Sequence, residues 1–234
     1  MTKSARYVSA LAAVQLAACS PEPASNAAPL TEAAALETEN QQQKLVLALG
    51  DSLYAGYGVD RSQSLPAMLE RELAARGVAA RVVNAGVSGD TSAGGLRRLA
   101  FTLDGLERTP DLAMVGLGGN DVLRGIDPAE TRRNLDAILT ELDRRGIPVL
   151  LTGMLAPRNY GGTTVRSFER IYPELAQKHG ALLDPFLLEG VILRRDLLLP
   201  DGMHPNASGI AQMAKRLAPE LAGQLAKADA AQSG

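Results

Sequence analysis

The chain has 234 residues, enough for one ordinary domain with appendages, and 46% of them are hydrophobic while 21% are charged, as in globular proteins. A net charge of −2 and an aromatic content of 3%, without tryptophan, argue against a nucleic-acid-binding surface. One cysteine and two histidines are too few for an intrachain disulfide, a zinc–thiolate site or a histidine-rich metal centre.

Residues 1–18 have the pattern of an export signal. Lys3 and Arg6 precede an apolar, alanine-rich run at residues 7–16, and this run is shorter than the roughly 20 residues that span a bilayer. It ends in Leu-Ala-Ala-Cys, with the single cysteine of the chain at Cys19. This ending resembles a bacterial lipobox, and the alternative is an ordinary signal peptide with a chance cysteine. We expect lipidation of Cys19 and a lipid anchor on the periplasmic side of a bacterial membrane, with the outer membrane favoured.

The region after Cys19 divides into a tether and a folded domain. Residues 19–43 are rich in proline, alanine and glutamine and offer little to bury, so they predict a disordered tether. The folded domain is predicted over residues 44–228, followed by a flexible tail at 229–234.

Short apolar runs alternate with helical patterns along the domain. Strands are predicted at residues 44–49, 80–83, 111–117 and 148–152, with a further short apolar segment at 181–183. Helices are predicted at residues 64–76, 91–101, 127–145, 164–178 and 207–225. This alternation predicts a parallel sheet with helices on both faces, which is a three-layer α/β/α sandwich.

Small and polar residues follow the first three predicted strands. Ser52, Gly86 and Asn120 come after these strands, and ligand sites of open parallel sheets lie at the carboxyl ends of the strands. Asp201 and His204 stand near the C-terminus. In a helical turn, their spacing lets Asp201 accept a hydrogen bond from His204 Nδ1 while Nε2 faces the site. We therefore expect all five residues at one edge of the sheet.

These residues resemble the four sequence blocks of the GDSL/SGNH hydrolase superfamily. Gly-Asp-Ser-Leu at 50–53 resembles the GDSL signature, and Gly86 resembles the glycine block. Gly-Gly-Asn-Asp at 118–121 and Asp-x-x-His at 201–204 resemble the two later blocks. The resemblance runs from Lys44 to about Leu225 and is closest to the bacterial thioesterase/lysophospholipase/arylesterase subgroup. It implies a flavodoxin-like α/β/α fold.

The resemblance implies a serine hydrolase that cleaves carboxylic esters or thioesters through an acyl-serine intermediate. Ser52 is then the nucleophile, His204 the general base and Asp201 the residue that orients it. The oxyanion hole would consist of the Ser52 and Gly86 backbone N–H groups and the Asn120 side-chain amide. No cofactor and no metal are expected.

The substrate is expected to be a small ester, a thioester or a lysolipid. Leu155, Ala156, Pro157 and Tyr160 follow the fourth strand and are predicted, from position alone, to line an acyl pocket. Removal of acetyl groups from a polysaccharide is an alternative, weakened by the scarcity of aromatic residues. A lipid-anchored binding protein is the non-enzymatic alternative, favoured only if a residue of the triad were missing.

Three further polar residues are expected to be structural. Asp51 and Asp121 are interpreted as groups that orient turns and loops. His179 is interpreted as a helix-end residue beside Gly180, because no acidic residue stands at a useful spacing in the sequence.

Overall fold

The computed structural model of the protein describes residues 43–232. The predicted signal peptide, Cys19, the tether as far as residue 42 and the last two residues lie outside this described part. No helix within residues 43–232 has the length and apolar character needed to cross a membrane.

A five-stranded, fully parallel sheet forms the centre of the domain. Its strands are β1 (Lys44–Gly50), β2 (Ala80–Gly86), β3 (Leu112–Gly116), β4 (Val149–Thr152) and β5 (Leu182–Asp184). Their order across the sheet is β2-β1-β3-β4-β5. The central strands β1 and β3 are apolar and almost entirely buried, as expected for a parallel sheet covered on both faces.

Helices connect the strands and cover the sheet. They are α1 (Ser52–Ala55), α2 (Leu65–Ala74), α3 (Ser92–Asp104), α4 (Gly119–Leu123), α5 (Pro128–Arg144), α6 (Gly162–Glu169), α7 (Ile171–His179) and α8 (Ala207–Gln232). Short 3₁₀ helices occur at Arg61–Gln63, Arg158–Tyr160 and Arg195–Leu197.

Alternate residues of β1 point into two separate cores. Val46 and Ala48 pack with the apolar faces of α2 and α8 on one side of the sheet. Leu47 and Leu49 pack with α3, α5, α6 and α7 on the other side. The predicted α/β/α sandwich is therefore confirmed.

The structure departs from the predicted elements where local chemistry interrupts a helix or where an element is short. The helix predicted at 164–178 is two helices that meet at Arg170, because Pro173 has no N–H to continue the backbone ladder. The last helix runs beyond Leu225 to Gln232. Helices α1 and α4 have four and five residues, too few to show a helical period in the sequence.

Candidate active site

Ser52 is the first residue of α1 and follows the carboxyl end of β1. The Asp51 carboxylate caps this helix, because its Oδ1 accepts a hydrogen bond from the Leu53 N–H at 3.0 Å. The strand and the cap together hold the Ser52 side chain at the edge of the sheet.

A row of three glycines lies directly under α1. Gly86, Gly50 and Gly116 occupy the same level of β2, β1 and β3. A Cβ atom at Gly50 would lie 2.3 Å from the Tyr54 ring, and one at Gly116 would lie 2.2 Å from the same ring. A Cβ atom at Gly86 would lie 2.3 Å from the Ala55 nitrogen. The glycine row therefore lets α1 pack closely on the sheet, which fixes the position of Ser52.

Ser52, His204 and Asp201 form a continuous hydrogen-bonded chain. The Ser52 Oγ lies 3.0 Å from His204 Nε2, and His204 Nδ1 lies 2.7 Å from Asp201 Oδ2. With the imidazole proton on Nδ1, Nε2 is free to accept the hydroxyl proton of Ser52. The structure thus brings together the three residues that the sequence predicts as a triad.

The turn that carries Asp201 and His204 is not helical, unlike the expected geometry. Asp201 Oδ1 accepts hydrogen bonds from the N–H groups of Met203 and His204 at 2.9 and 3.0 Å. The turn is closed by the Leu199 N–H, which donates to the His204 carbonyl at 2.7 Å. The backbone N–H bonds of His204 and Met203, followed by the His204 side chain, lower the pKa of Asp201 to about 2. Asp201 is therefore a carboxylate at neutral pH.

Asn120 lies on α4, beyond β3, and its amide is held by two acceptors. Asn120 Nδ2 donates to the Asp90 carbonyl at 2.9 Å and to Asp51 Oδ2 at 3.3 Å. Burial raises the pKa of Asp51 to about 6, although the Leu53 N–H bond and the charge of His204 act in the opposite direction. The expectation that Asp51 orients neighbouring groups agrees with these contacts.

Asp121, the next residue on α4, is buried and accepts hydrogen bonds from three donors. These are the Ser92 N–H at 2.8 Å, the Ser92 hydroxyl and the Thr131 hydroxyl. Asp121 therefore ties α4 to the start of α3 and to α5, in agreement with the structural role expected for it.

A cavity of about 280 Å³ opens beside Ser52, and the structure brings Gly89 rather than Gly86 to it. Ser52, Gly89, Asn120 and His204 line the cavity, whereas Gly86 does not. The Gly86 N–H donates to Asn84 Oδ1 at 2.9 Å. The prediction for Gly86 is wrong because β2 continues to residue 86, so that this glycine is still a strand residue under α1.

Gly89 lies in the turn between β2 and α3, with a φ of +80° that favours glycine. Its carbonyl accepts a hydrogen bond from Arg124 Nη2 at 2.7 Å, and no acceptor among residues 43–232 takes its N–H. The sequence signal that identifies it is Ser-Gly-Asp-Thr at 88–91. Thr91 in that motif caps α3, which places the preceding glycine in a turn past the strand end.

A second, largely apolar cavity of about 370 Å³ adjoins the first. The two cavities share Gly119, Leu123, Met154, Leu188 and Met203. Leu155, Ala156 and Pro157 line the second cavity, as predicted. Tyr160 does not line it; its hydroxyl donates instead to the Leu123 carbonyl at 3.3 Å. The prediction for Tyr160 as a lining residue is therefore wrong.

His179 has acidic partners, contrary to expectation. Its Nδ1 lies 2.5 Å from Asp143 Oδ2, and its Nε2 lies 2.7 Å from Asp136 Oδ1. Both carboxylates belong to α5, 36 and 43 residues away in the sequence, so no local spacing could have revealed them. Among the described residues, no group of three or more His, Cys, Asp and Glu side chains is placed to hold a metal ion.

Comparison with known proteins identifies related sequences and structures. The GDSL-like lipase/acylhydrolase family matches residues 48–211. Esterase TesA of Pseudomonas aeruginosa is 40% identical over 186 residues, which cover 80% of this chain and 92% of that protein. Thioesterase 1/protease 1/lysophospholipase L1 of Escherichia coli K12 is 40% identical over 178 residues, which cover 74% of this chain and 83% of that protein. The crystal structure of AlinE4, an SGNH-hydrolase family esterase, shares 51% identity at a TM-score of 0.67 and covers 77% of this chain and 96% of its own.

Proposed function

The chain belongs to the GDSL-like lipase/acylhydrolase family and is an ester hydrolase. From that premise we propose that Ser52 is the nucleophile that cleaves carboxylic esters or thioesters. The observation that carries the proposal is the hydrogen-bonded chain from Ser52 Oγ through His204 to Asp201, at 3.0 and 2.7 Å. Hydroxyl, imidazole and carboxylate in this order are the arrangement that activates a serine at neutral pH.

The proposed reaction has two halves that use the same base. Ser52 Oγ attacks the carbonyl carbon while His204 Nε2 takes its proton, and the carbonyl oxygen becomes negatively charged. The imidazolium then protonates the departing alcohol or thiol, which leaves an acyl-serine. His204 next removes a proton from water, the resulting hydroxide attacks the acyl carbon, and the acid leaves as Ser52 recovers its proton. Asp201, a carboxylate throughout, stabilises the imidazolium in both halves.

The negative charge on the carbonyl oxygen requires hydrogen-bond donors at the cavity wall. We assign this role to the Ser52 N–H, the Gly89 N–H and the Asn120 amide, all of which belong to residues that line the cavity. The Asn120 amide exchanges its longer bond, 3.3 Å to Asp51 Oδ2, for the oxyanion and keeps its 2.9 Å bond to the Asp90 carbonyl. Gly89 replaces Gly86 in this set, because the Gly86 N–H is bonded to Asn84 Oδ1 and lies under α1.

The adjoining apolar cavity supports an acyl chain as the part of the substrate that binds beside Ser52. Its lining, which includes Leu155 and Pro157, offers apolar contact rather than donors for sugar hydroxyl groups. The substrate class is therefore a small ester, a thioester or a lysolipid. A lipid with a single acyl chain matches both the apolar cavity and the name of the related thioesterase 1/protease 1/lysophospholipase L1.

The experiment that tests the proposal is titration with an organophosphonate, which forms a covalent bond only with an activated serine. Wild-type protein should incorporate one phosphonyl group, lose turnover of an aryl ester and carry the label on Ser52. Ser52→Ala should lose both labelling and turnover, while Ser62→Ala, an exposed serine outside the site, should retain both. Near-normal turnover by Ser52→Ala would refute the proposed function.

We also propose that the protein is exported and anchored through a lipid on Cys19. The support comes from the sequence alone, since residues 1–19 lie outside the described part. A fatty-acid label should enter wild-type protein in the bacterium, and Cys19→Ala should abolish both the labelling and recovery in the membrane fraction. Wild-type protein found uncleaved and unlabelled in the cytoplasm would refute the anchor without affecting the assignment of Ser52.

A further inference from the structure

The loop at residues 87–91, here called the Gly89 loop, is held to the strand of the nucleophile at its first residue. The Val87 N–H donates to the Gly50 carbonyl at 3.0 Å, and Gly50 precedes Asp51 and Ser52. The Asp90 N–H then donates back to the Val87 carbonyl at 3.0 Å, which closes the turn around Gly89. These two bonds fix the start of the loop and its curvature.

A single guanidinium holds the other end of the Gly89 loop. Arg98 extends from α3, and its Nε donates to Asp90 Oδ2 at 2.7 Å while its Nη2 donates to the Gly50 carbonyl at 3.0 Å. The Arg98 side chain is 22% exposed and that of Asp90 is 12% exposed, so the pair is largely shielded from water. The planar fork of arginine joins two acceptors in a fixed geometry that a lysine cannot reproduce.

Asp90 connects two of the assigned oxyanion donors, the Gly89 N–H and the Asn120 amide. It follows Gly89 directly, and its carbonyl accepts the Asn120 Nδ2 bond at 2.9 Å. A displacement of Asp90 would therefore move the Gly89 N–H and the Asn120 amide together.

Helix α3 provides an independent sign that the position of Asp90 matters. Gly94 is the third residue of this helix, and its N–H donates to the side chain of Thr91 that caps the helix. A Cβ atom at Gly94 would lie 1.6 Å from Asp90 Oδ1, so only glycine leaves room for the carboxylate to lie on the helix. Glycine at position 94 thus leaves the space in which the Asp90 carboxylate lies beside Arg98.

We propose that Arg98 is a positioning residue for the transition state of the hydrolysis. By joining Asp90 to Gly50, it keeps the Gly89 N–H and the Asn120 amide in register with the Ser52 nucleophile. The inference rests on the proposed function, because the groups that Arg98 positions are the donors assigned there. An oxyanion forms only after attack, so Arg98 should affect kcat and leave substrate binding nearly unchanged.

The first test compares Arg98→Lys with Arg97→Lys, an exposed neighbour on the same helix. Lysine retains the charge opposite Asp90 but cannot serve both acceptors. Loss of one complete oxyanion donor lowers kcat by about 10²–10³, so displacement of two donors without their loss should lower kcat about tenfold. KM should stay within about twofold of wild type, and the affinity for an aryl trifluoromethyl ketone, which forms a tetrahedral adduct, should fall by the same factor as kcat/KM. Arg97→Lys should match wild type in all three measurements.

A second variant tests the same contact from the opposite side while leaving Arg98 itself unchanged. Gly94→Ala should displace the Asp90 carboxylate and lower kcat and the ketone affinity together, as Arg98→Lys does. Gly223→Ala, which replaces a helical glycine with open space around it, provides the matched control and should leave both values unchanged. If Arg98→Lys does not fold, Gly94→Ala alone decides the question.

The proposal is overturned if the folded variants Arg98→Lys and Gly94→Ala keep wild-type kcat and ketone affinity, even where the melting temperature falls. Such a result would make Arg98 an ordinary structural ion pair. This failure is distinct from failure of the proposed function, which would appear as turnover by Ser52→Ala.

Discussion

The ring of Tyr57 packs against the imidazole of His204, with the ring centroids 4.4 Å apart and the planes tilted by 35°. Ser52 and Asp201 hold the two nitrogen atoms at the edge of the imidazole, whereas Tyr57 covers its face. The Asp201 side chain is 39% exposed, so water screens its charge, and the aromatic face is a second source of stabilisation for the imidazolium.

Replacing Tyr57 with alanine should lower kcat by about two- to fivefold, because an exposed cation–π contact contributes about 0.5–1 kcal/mol. Tyr57→Phe retains the ring and should keep near-normal turnover. Steady-state kinetics on a water-soluble aryl ester measure both variants. An equal loss in Tyr57→Phe would instead assign the effect to the phenolic hydroxyl.

Alanine substitutions should separate the roles of Gly86 and Gly89. Gly86→Ala places a Cβ atom 2.3 Å from the Ala55 nitrogen, so it should lower the melting temperature or prevent folding. Gly89→Ala has space around its Cβ, with Arg124 Nη2 at 3.5 Å, but forces alanine to adopt a φ of +80° at a cost of about 1–2 kcal/mol. Gly89→Ala should therefore fold and show reduced kcat as the loop relaxes. Wild-type kcat in folded Gly89→Ala, together with reduced kcat in a fully stable Gly86→Ala, would show that Gly86 rather than Gly89 supplies the donor.

Asp51 should make the protein less stable as pH rises from about 4 to 7. Burial raises the pKa of Asp51 from 3.8 to about 6, so the folded protein holds this proton more tightly than the unfolded chain does. The stabilisation is complete below pH 3.8 and is lost as pH rises through about 6, a change of about 3 kcal/mol. The free energy of unfolding of Asp51→Asn and of wild type can be measured in urea at several pH values. As pH rises across this range, the variant should become more stable relative to wild type. A difference that stays constant with pH would contradict the raised pKa.

His179 should stabilise the protein mainly at low pH. Burial lowers the pKa of His179, but the hydrogen bonds to Asp136 and Asp143 outweigh burial and raise the pKa above 6.5 overall. The stabilisation is thus complete below pH 6.5 and is lost as pH rises through the folded-state pKa. His179→Gln should lower the free energy of unfolding at pH 6 by about 1 kcal/mol, less than a fully buried charged hydrogen bond because the carboxylates are partly exposed. The deficit should shrink at pH 9, and an equal or larger deficit there would show that packing rather than charge is responsible.

The fold could be predicted from the sequence because its elements carry strong local patterns. The buried run of β1 and the amphipathic pattern of α5, with Asp127 bonded to the Ala129 N–H at its start, are typical of their structures. The interruption between α6 and α7 at Arg170 was not predicted, because the helical pattern of apolar residues continues on both sides of Pro173. The boundary of β2 could not be predicted because Asn84 and Ala85 give no sign that pairing with β1 continues to Gly86.

The site could be predicted where one short motif contains both partners, and less well where partners come from distant elements. Asp201 and His204 lie within four residues, so their contact follows from the motif. The acidic partners of His179, the ring of Tyr57 and the guanidinium of Arg98 reach their targets only through packing of separate elements. Gly86 shows why the end of a strand matters. The predicted strand ends at residue 83, but β2 continues to Gly86, so this glycine lies beneath α1 instead of lining the cavity.

Ser52 and His204 are 152 positions apart, and the contact between them closes almost the whole domain. Ser52 is synthesised early, whereas Asp201 and His204 follow all five strands of the sheet in the chain. During refolding, the rate at which hydrolysis of a fluorogenic ester appears therefore measures how fast this contact between the two ends of the domain forms.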